Sequence, residues 1–261
     1  MSSQRVNFIN ARGIRLAGII DWPKNRDEPV AFGMFSHCFT CTKDLKAIVR
    51  ISRGLAQYGI AVLRFDFTGL GDSKGKFPET NFNTNLEDVD AAVAYLTEHH
   101  QPPKLLIGHS LGGAAMMVKS KEISSARALV TIASPSTTNH LADYLSSANP
   151  QIESTGEGQV EIGGRQWTLR RQLIENLRSL DLPSEIEKIN LPHLIFHPPD
   201  DATLPYWHAE RLFEITGGTK AMVSLDGADH LLVNRPDHVG FVSEMIRVWV
   251  GRYLVNDEGA E

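Results

Sequence analysis

Markers of a membrane, secreted or nucleic-acid-binding chain are missing. No segment reaches the roughly 18 consecutive apolar residues that a membrane helix needs, and the opening stretch MSSQRVNFINARG has no apolar signal core. A soluble, cytoplasmic protein without a membrane partner is expected. No Lys/Arg cluster exceeds the pair Arg170-Arg171, so the basic footprint of phosphate-backbone binding is absent and no nucleic-acid partner is expected. Cysteine is scarce: Cys38 and Cys41 form a single C-x-x-C. That spacing suits a redox pair or half of a metal site, but no second C-x-x-C supplies the remaining ligands of a structural zinc. Repeats, low-complexity tracts and interdomain linkers are also lacking, which favours one large fold.

The composition, 42% hydrophobic and 22% charged with a net charge of -5, is that of a soluble globular chain. Short β-branched runs alternate with longer amphipathic ones. Strands are predicted at Leu16–Ile20, Ala31–Phe35, Ala61–Phe65, Leu105–Ile107, Ala128–Ile132, His193–Phe196 and Ala221–Leu225. Between them, Ile48, Ile51, Leu55 and Tyr58 share a helical face, as do Val89, Ala92, Val93 and Leu96, and Val239, Val242, Ile246 and Val250. This alternation predicts an α/β fold, a mostly parallel sheet with helices on both faces. Residues 134–191 break the pattern. Gln159–Ile162 and Gln166–Leu169 flank the turn Gly163-Gly164-Arg165, a hairpin expected to be followed by a helix. The segment is expected to be a lid inserted in a core of residues 1–133 and 192–261, and the tail Asn256–Glu261 is expected to be disordered.

Within KLLIGHSLGGAA, Gly108-His109-Ser110-Leu111-Gly112 has the spacing G-x-S-x-G, after an apolar strand and before a small-residue helix. A serine on so sharp a strand-to-helix turn needs strained backbone and close neighbours, which the glycines allow, and its hydroxyl then projects beyond the sheet. Such a hydroxyl is a poor nucleophile without a base and a group that orients the base. His230, in Asp226-Gly-Ala-Asp-His230, is the candidate base, and Asp200 or Asp201, just past a strand, the orienting acid. Asp226 and Asp229 are expected to shape the histidine turn. His109, His37 and His197 are read as packing or loop supports, and the loop from Phe67 to Ser73 as a rim, since it lacks the G-K-[ST] ending of a phosphate cradle.

The segments HCFTCTKDL, AVLRFDFTGLGDSKGKF, LLIGHSLGGAA and SLDGADHLL resemble the α/β-hydrolase superfamily, and within it the hydrolase domains fused to OsmC-type domains and the cinnamoyl and feruloyl esterases. The resemblance runs over essentially the whole chain. It implies the α/β-hydrolase fold, with Ser110 as nucleophile and His230 as base. The family's D-x-x-V-P pattern matches Asp201-Ala-Thr-Leu-Pro205 and implies Asp201 rather than Asp200. Two backbone amides are expected to hold the oxyanion: Leu111, which follows the nucleophile, and Phe39, to which the resemblance points. Where many relatives read His-Gly, this chain has His37-Cys38. The expected function is hydrolysis of short-chain or aryl esters by a serine carboxylesterase that needs no cofactor. Its partner is a small-molecule ester, with Phe39, Trp167 and Tyr206 near the pocket and a homodimer left open. The alternatives are another triad hydrolase (thioesterase, lipase, amidase or perhydrolase), a thiol-based peroxide or redox protein using Cys38 and Cys41, and a non-catalytic binding module.

Overall fold

The computed structural model describes residues 2–24 and 29–254; the tail expected to be disordered lies outside the described residues. Its strands are β1 (Ser2–Ile9), β2 (Arg15–Trp22), β3 (Ala31–Ser36), β4 (Ile60–Phe65), β5 (Leu105–His109), β6 (Ala128–Ile132), β7 (Glu157–Ile162), β8 (Arg165–Arg170), β9 (His193–His197) and β10 (Lys220–Ser224). Its helices are α1 (Lys46–Gln57), α2 (Phe82–His99), α3 (Leu111–Lys119), α4 (Asn139–Ala148), α5 (Gln151–Ser154), α6 (Arg171–Ser179), α7 (Leu182–Glu187), α8 (Trp207–Ile215) and α9 (Pro236–Leu254), with a 3₁₀ turn at Phe77–Glu79.

Eight strands form one sheet in the order β1-β2-β4-β3-β5-β6-β9-β10. From β4 to β10 all pairings are parallel, whereas β1 and β2 add an antiparallel edge. Strands β3, β4, β5, β6 and β9 are buried at every residue, which explains their nearly continuous apolar sequences. Successive side chains feed two cores. Phe35, Ile107, Ile132 and Phe196 pack under α1 and α9, while Met34, Leu106 and Leu129 pack under α2, α3 and the segment after β6. The three helical faces expected from periodicity all cover the sheet. Strand β1 was not anticipated: SSQRVNFI buries only Val6 and Phe8 and is otherwise exposed.

Residues 134–191 hold α4 to α7 and the hairpin β7–β8, more helix than the sequence predicted. Ile162 pairs with Arg165 across the two-residue turn Gly163-Gly164, both glycines at positive φ (59° and 73°), so Arg165 belongs to the strand rather than the turn. Ile152, Val160, Leu169, Ile174 and Leu177 join this segment to the core. Among the described residues no helix is long and apolar enough to cross a membrane.

Candidate active site

The parallel strands all point the same way, so the segments that follow β3, β4, β5, β6, β9 and β10 gather at one edge of the sheet, where open α/β sheets place their ligands. Ser110 stands between β5 and α3 at φ 52°, ψ -124°, a strained conformation for a residue with a Cβ. Close approach makes it attainable. A Cβ on Gly108 would overlap the backbone of Gly112 and Gly113, one on Gly113 would strike the Ser134 hydroxyl, and one on Gly112 would strike the carbonyl oxygens of Ser36 and His37. The last contact also seats the segment after β3 directly against the serine turn. Ser110 N–H donates to Ile132 O at 2.9 Å, fixing the turn to β6.

The structure brings Ser110, His230 and Asp201 into one hydrogen-bonded path. Ser110 Oγ lies 3.0 Å from His230 Nε2, and His230 Nδ1 lies 2.6 Å from Asp201 Oδ2. A carboxylate only accepts, so the Nδ1 proton is donated to Asp201 and the Nε2 lone pair faces the serine hydroxyl. Asp201 Oδ1 accepts from the amides of Thr203 (2.8 Å) and Leu204 (2.9 Å), which locks its rotamer. Burial pushes its carboxyl up, but the hydrogen bond and charge of His230 and the two amides outweigh burial and hold it below the ordinary carboxylate range. Asp200 is exposed and makes no part of this path. Asp229 shapes the histidine turn by accepting from Val233 N–H at 2.7 Å.

Other histidines support the main chain around the three. His109 Nε2–H donates to the His230 carbonyl at 2.7 Å, and burial first, then the neighbouring His230, lowers its ring to about 3. His197 Nε2–H donates to Leu204 O at 2.8 Å. His37 Nδ1–H donates to Cys38 O at 2.8 Å, while its Nε2 accepts from Phe67 N–H at 3.2 Å. The sequence reading of these side chains as supports agrees with these bonds.

Phe39 follows the β3 end, and Leu111 opens α3, where the first amides have no intrahelical acceptor. Neither N–H has a hydrogen-bond partner among the described residues. Phe39 also begins a row of aromatic rings: its ring lies 5.6 Å from Phe77, which meets Trp167 of β8 edge-on at 4.9 Å. Phe77, absent from the sequence candidates, is thus the link between Phe39 and Trp167. The Trp167 indole nitrogen is buried without a partner. The Tyr206 hydroxyl lies 2.6 Å from Ser224 Oγ, and its ring packs edge-on against His197. Cys38 and Cys41 are bonded to each other as a disulfide.

Beneath the Phe67–Ser73 loop lies a charge network that the sequence did not suggest. The Lys43 ammonium, only 3% exposed, reaches Asp66 (2.8 Å) and Asp72 (2.7 Å), and the Lys43 amide donates to Asp66 at 2.7 Å. Buried Arg64 donates to the Lys43 carbonyl at 2.9 Å and to Asp21 at 2.8 Å.

Comparison with known proteins agrees with this architecture. The profile of the alpha/beta hydrolase family matches residues 31–242. The esterase domain of a Rhodothermus marinus protein is 39% identical, with a TM-score of 0.78 over 97% of this chain and 100% of that one. Est1E of Butyrivibrio proteoclasticus, solved with ferulic acid bound, has a TM-score of 0.83 at 23% identity over 95% and 99% of the two chains, a likeness of fold. The mitochondrial palmitoyl-protein thioesterase ABHD10 of Rattus norvegicus is 24% identical over 160 residues, 61% of this chain and 50% of that protein.

Proposed function

The chain belongs to the alpha/beta hydrolase family, and from that premise we propose that it is a serine carboxylesterase that cleaves short-chain or aryl carboxylic esters through an acyl-enzyme on Ser110. The observation that carries this reading is the unbroken path from the Ser110 hydroxyl through His230 to Asp201 on a strained strand-to-helix turn. His230 Nε2 takes the hydroxyl proton as Oγ attacks the ester carbonyl, and Asp201 stabilises the imidazolium that forms. The free amides of Phe39 and Leu111 hold the oxyanion, each such donor contributing about 2.7–4 kcal/mol in other hydrolases. His230 then protonates the departing alcohol, and water, activated by the same imidazole, releases the acid.

The row Phe39, Phe77 and Trp167 favours a flat aryl or a short acyl group beside the nucleophile. We assign residues 134–191 as a cap on the core, because its hairpin carries Trp167 onto Phe77 and its helix α6 ties Gln172 to Pro78 O at 2.8 Å.

Ser110→Ala should cut hydrolysis of p-nitrophenyl acetate by about 10⁶, as loss of such a serine does elsewhere, and abolish labelling by a fluorophosphonate, with the fold unchanged by circular dichroism. Retention of a tenth of the activity, or labelling at another residue, would sink the mechanism. A panel of acyl lengths, feruloyl esters and S-acyl thioesters ranks the substrates; a preference for thioesters beyond about tenfold in kcat/KM would move the reading to a thioesterase.

A further inference from the structure

The Cys38–Cys41 bond is the one sequence motif that the proposed reaction leaves unused, and it encloses the residue whose amide that reaction needs. Cys41 N–H donates to Cys38 O at 3.1 Å, so Cys38, Phe39, Thr40 and Cys41 form a tight turn whose ends the disulfide joins, Cα to Cα 5.2 Å apart. Thr40 sits in this turn at φ 58°, a region that a β-branched residue avoids.

The chain on either side is held independently. Before the turn, Cys38 O accepts from His37, and the Ser36 and His37 carbonyls abut Gly112. After it, Lys43 is fixed through its amide, carbonyl and ammonium to Asp66, Arg64 and Asp72. Between these anchors the Thr40 hydroxyl bonds only to Phe39 O, its own neighbour, at 2.7 Å. Beside the Cys41–Cys38 hydrogen bond and the packing of the Phe39 ring on Phe77, the disulfide is the covalent tie across this strained turn.

Resting on the Ser110 reading above, we infer that the Cys38–Cys41 disulfide is a positioning element of the oxyanion site, and that a dithiol switches the enzyme to a slower form by opening it. Cys38 is 4% exposed and Cys41 more so, which makes Cys41 the more accessible of the two residues. A thiolate of the dithiol attacks Cys41 Sγ, the S–S bond breaks, and Cys38 leaves as a thiolate that takes a proton. The second thiol of the reductant then displaces Cys41, giving two protein thiols and the cyclic disulfide of the reductant. Thr40 is then free to leave φ 58°, and the Phe39 amide moves from the line of the oxyanion.

The test compares oxidised protein with protein reduced by dithiothreitol, with thiols counted and the serine titrated by a fluorophosphonate. On reduction kcat for p-nitrophenyl acetate should fall by about 10²-fold, the scale of losing one oxyanion donor, with KM changed less than about threefold. Affinity for an aryl boronic acid, which becomes tetrahedral on the serine, should fall in step with kcat. Reoxidation should restore both, and a Cys38→Ser, Cys41→Ser double variant should resemble the reduced enzyme and ignore dithiothreitol. Equal kcat with both thiols free overturns the inference, as does a loss that tracks unfolding by circular dichroism. Failure of the oxidised protein to take up fluorophosphonate defeats the serine reading instead, a separate result.

Discussion

Asp201→Asn separates what Asp201 does for the fold from what it does for the reaction. In the wild-type chain Oδ1 takes two amides and Oδ2 takes the His230 Nδ1 proton at 2.6 Å. An asparagine keeps an oxygen for Thr203 and Leu204, so the loop stays in place. Its NH₂ then faces Nδ1, which can pair with it only as an acceptor, and the ring proton moves to Nε2, against the serine hydroxyl. The fold loses one charge-assisted hydrogen bond, worth about 1.5–3 kcal/mol. The proposed reaction loses its base, a change that lowers kcat about 10⁴-fold in a serine protease, or about 5.4 kcal/mol at 1.36 kcal/mol per decade. The catalytic effect therefore exceeds the structural one. The assay is kcat on p-nitrophenyl acetate beside urea unfolding, with Asp200→Asn as the control at an exposed position. Because the Asp201 carboxyl is held below its ordinary range, its stabilisation is present at neutral pH and is lost as pH falls below about 3.9 toward its own lower pKa. The Asp201→Asn enzyme should lack that part of the acid dependence. A kcat within tenfold of wild type, or a slower Asp200→Asn than Asp201→Asn, would refute the assignment.

Three further outcomes are expected. His109, His193 and His208 are each held down to about 3, first by burial; an unfolded histidine titrates near about 6.5. Stability should be full above that pH and fall below it, each ring steepening the loss by up to about 1.4 kcal/mol per pH unit; urea midpoints that do not change between about pH 7 and 5 would contradict this. Lys43→Met leaves the Asp66 carboxylate buried without its cation and should cost about 3–5 kcal/mol in urea unfolding, partly recovered by adding Asp66→Asn; a cost under about 1 kcal/mol would show that water reaches the site. Trp167→Ala should raise KM for feruloyl esters by up to about tenfold, the scale of an aromatic pair, and leave acetate esters within about twofold; equal effects on both would remove Trp167 from the acyl pocket.

What could be read from sequence followed from how local each constraint is. The runs at 31–35, 105–107 and 128–132 announced strands because strands buried on both faces have no polar positions to alternate. Strand β1 escaped because an edge strand facing water at six of its eight residues looks like a loop. Ser110 was legible because its glycines lie within three residues of it. The partners of Ser110 are 120 residues away in His230 and a further 29 back in Asp201, and family resemblance, not spacing, chose Asp201 over Asp200. Phe77 and the Lys43–Asp66 pair gave no signal, since each contact exists only after distant segments dock. The C-x-x-C spacing was plain, but thiol, metal ligand and disulfide all share it. Tyr206 was named only as an aromatic near the expected pocket, and the bond of its hydroxyl to Ser224 exists only once distant segments meet.

Positive φ at positions with a Cβ occurs, among the described residues, at the edge where the reaction is proposed. Among the described residues the non-glycine positions with positive φ are Thr40, Ser110, Ala133 and Leu232, which follow β3, β5, β6 and β10 at the carboxyl ends of the strands. Each needs a tie that outweighs its strain. Ser110 has the glycine contacts and Ile132 O; Ala133 donates to Phe196 O at 2.8 Å, and Leu232 to Asp229 O at 3.0 Å. These ties are made of packed sheet and main-chain hydrogen bonds, which last as long as the fold does. At Thr40 the turn has its own main-chain bond, Cys41 N–H to Cys38 O at 3.1 Å, and in addition a disulfide, the one covalent tie of the four and one that chemistry can open. On the proposed mechanism, Ser110, His230 and the Leu111 amide therefore last as long as the sheet, whereas the inferred control of the Phe39 amide lies in the oxidation state of two sulfur atoms.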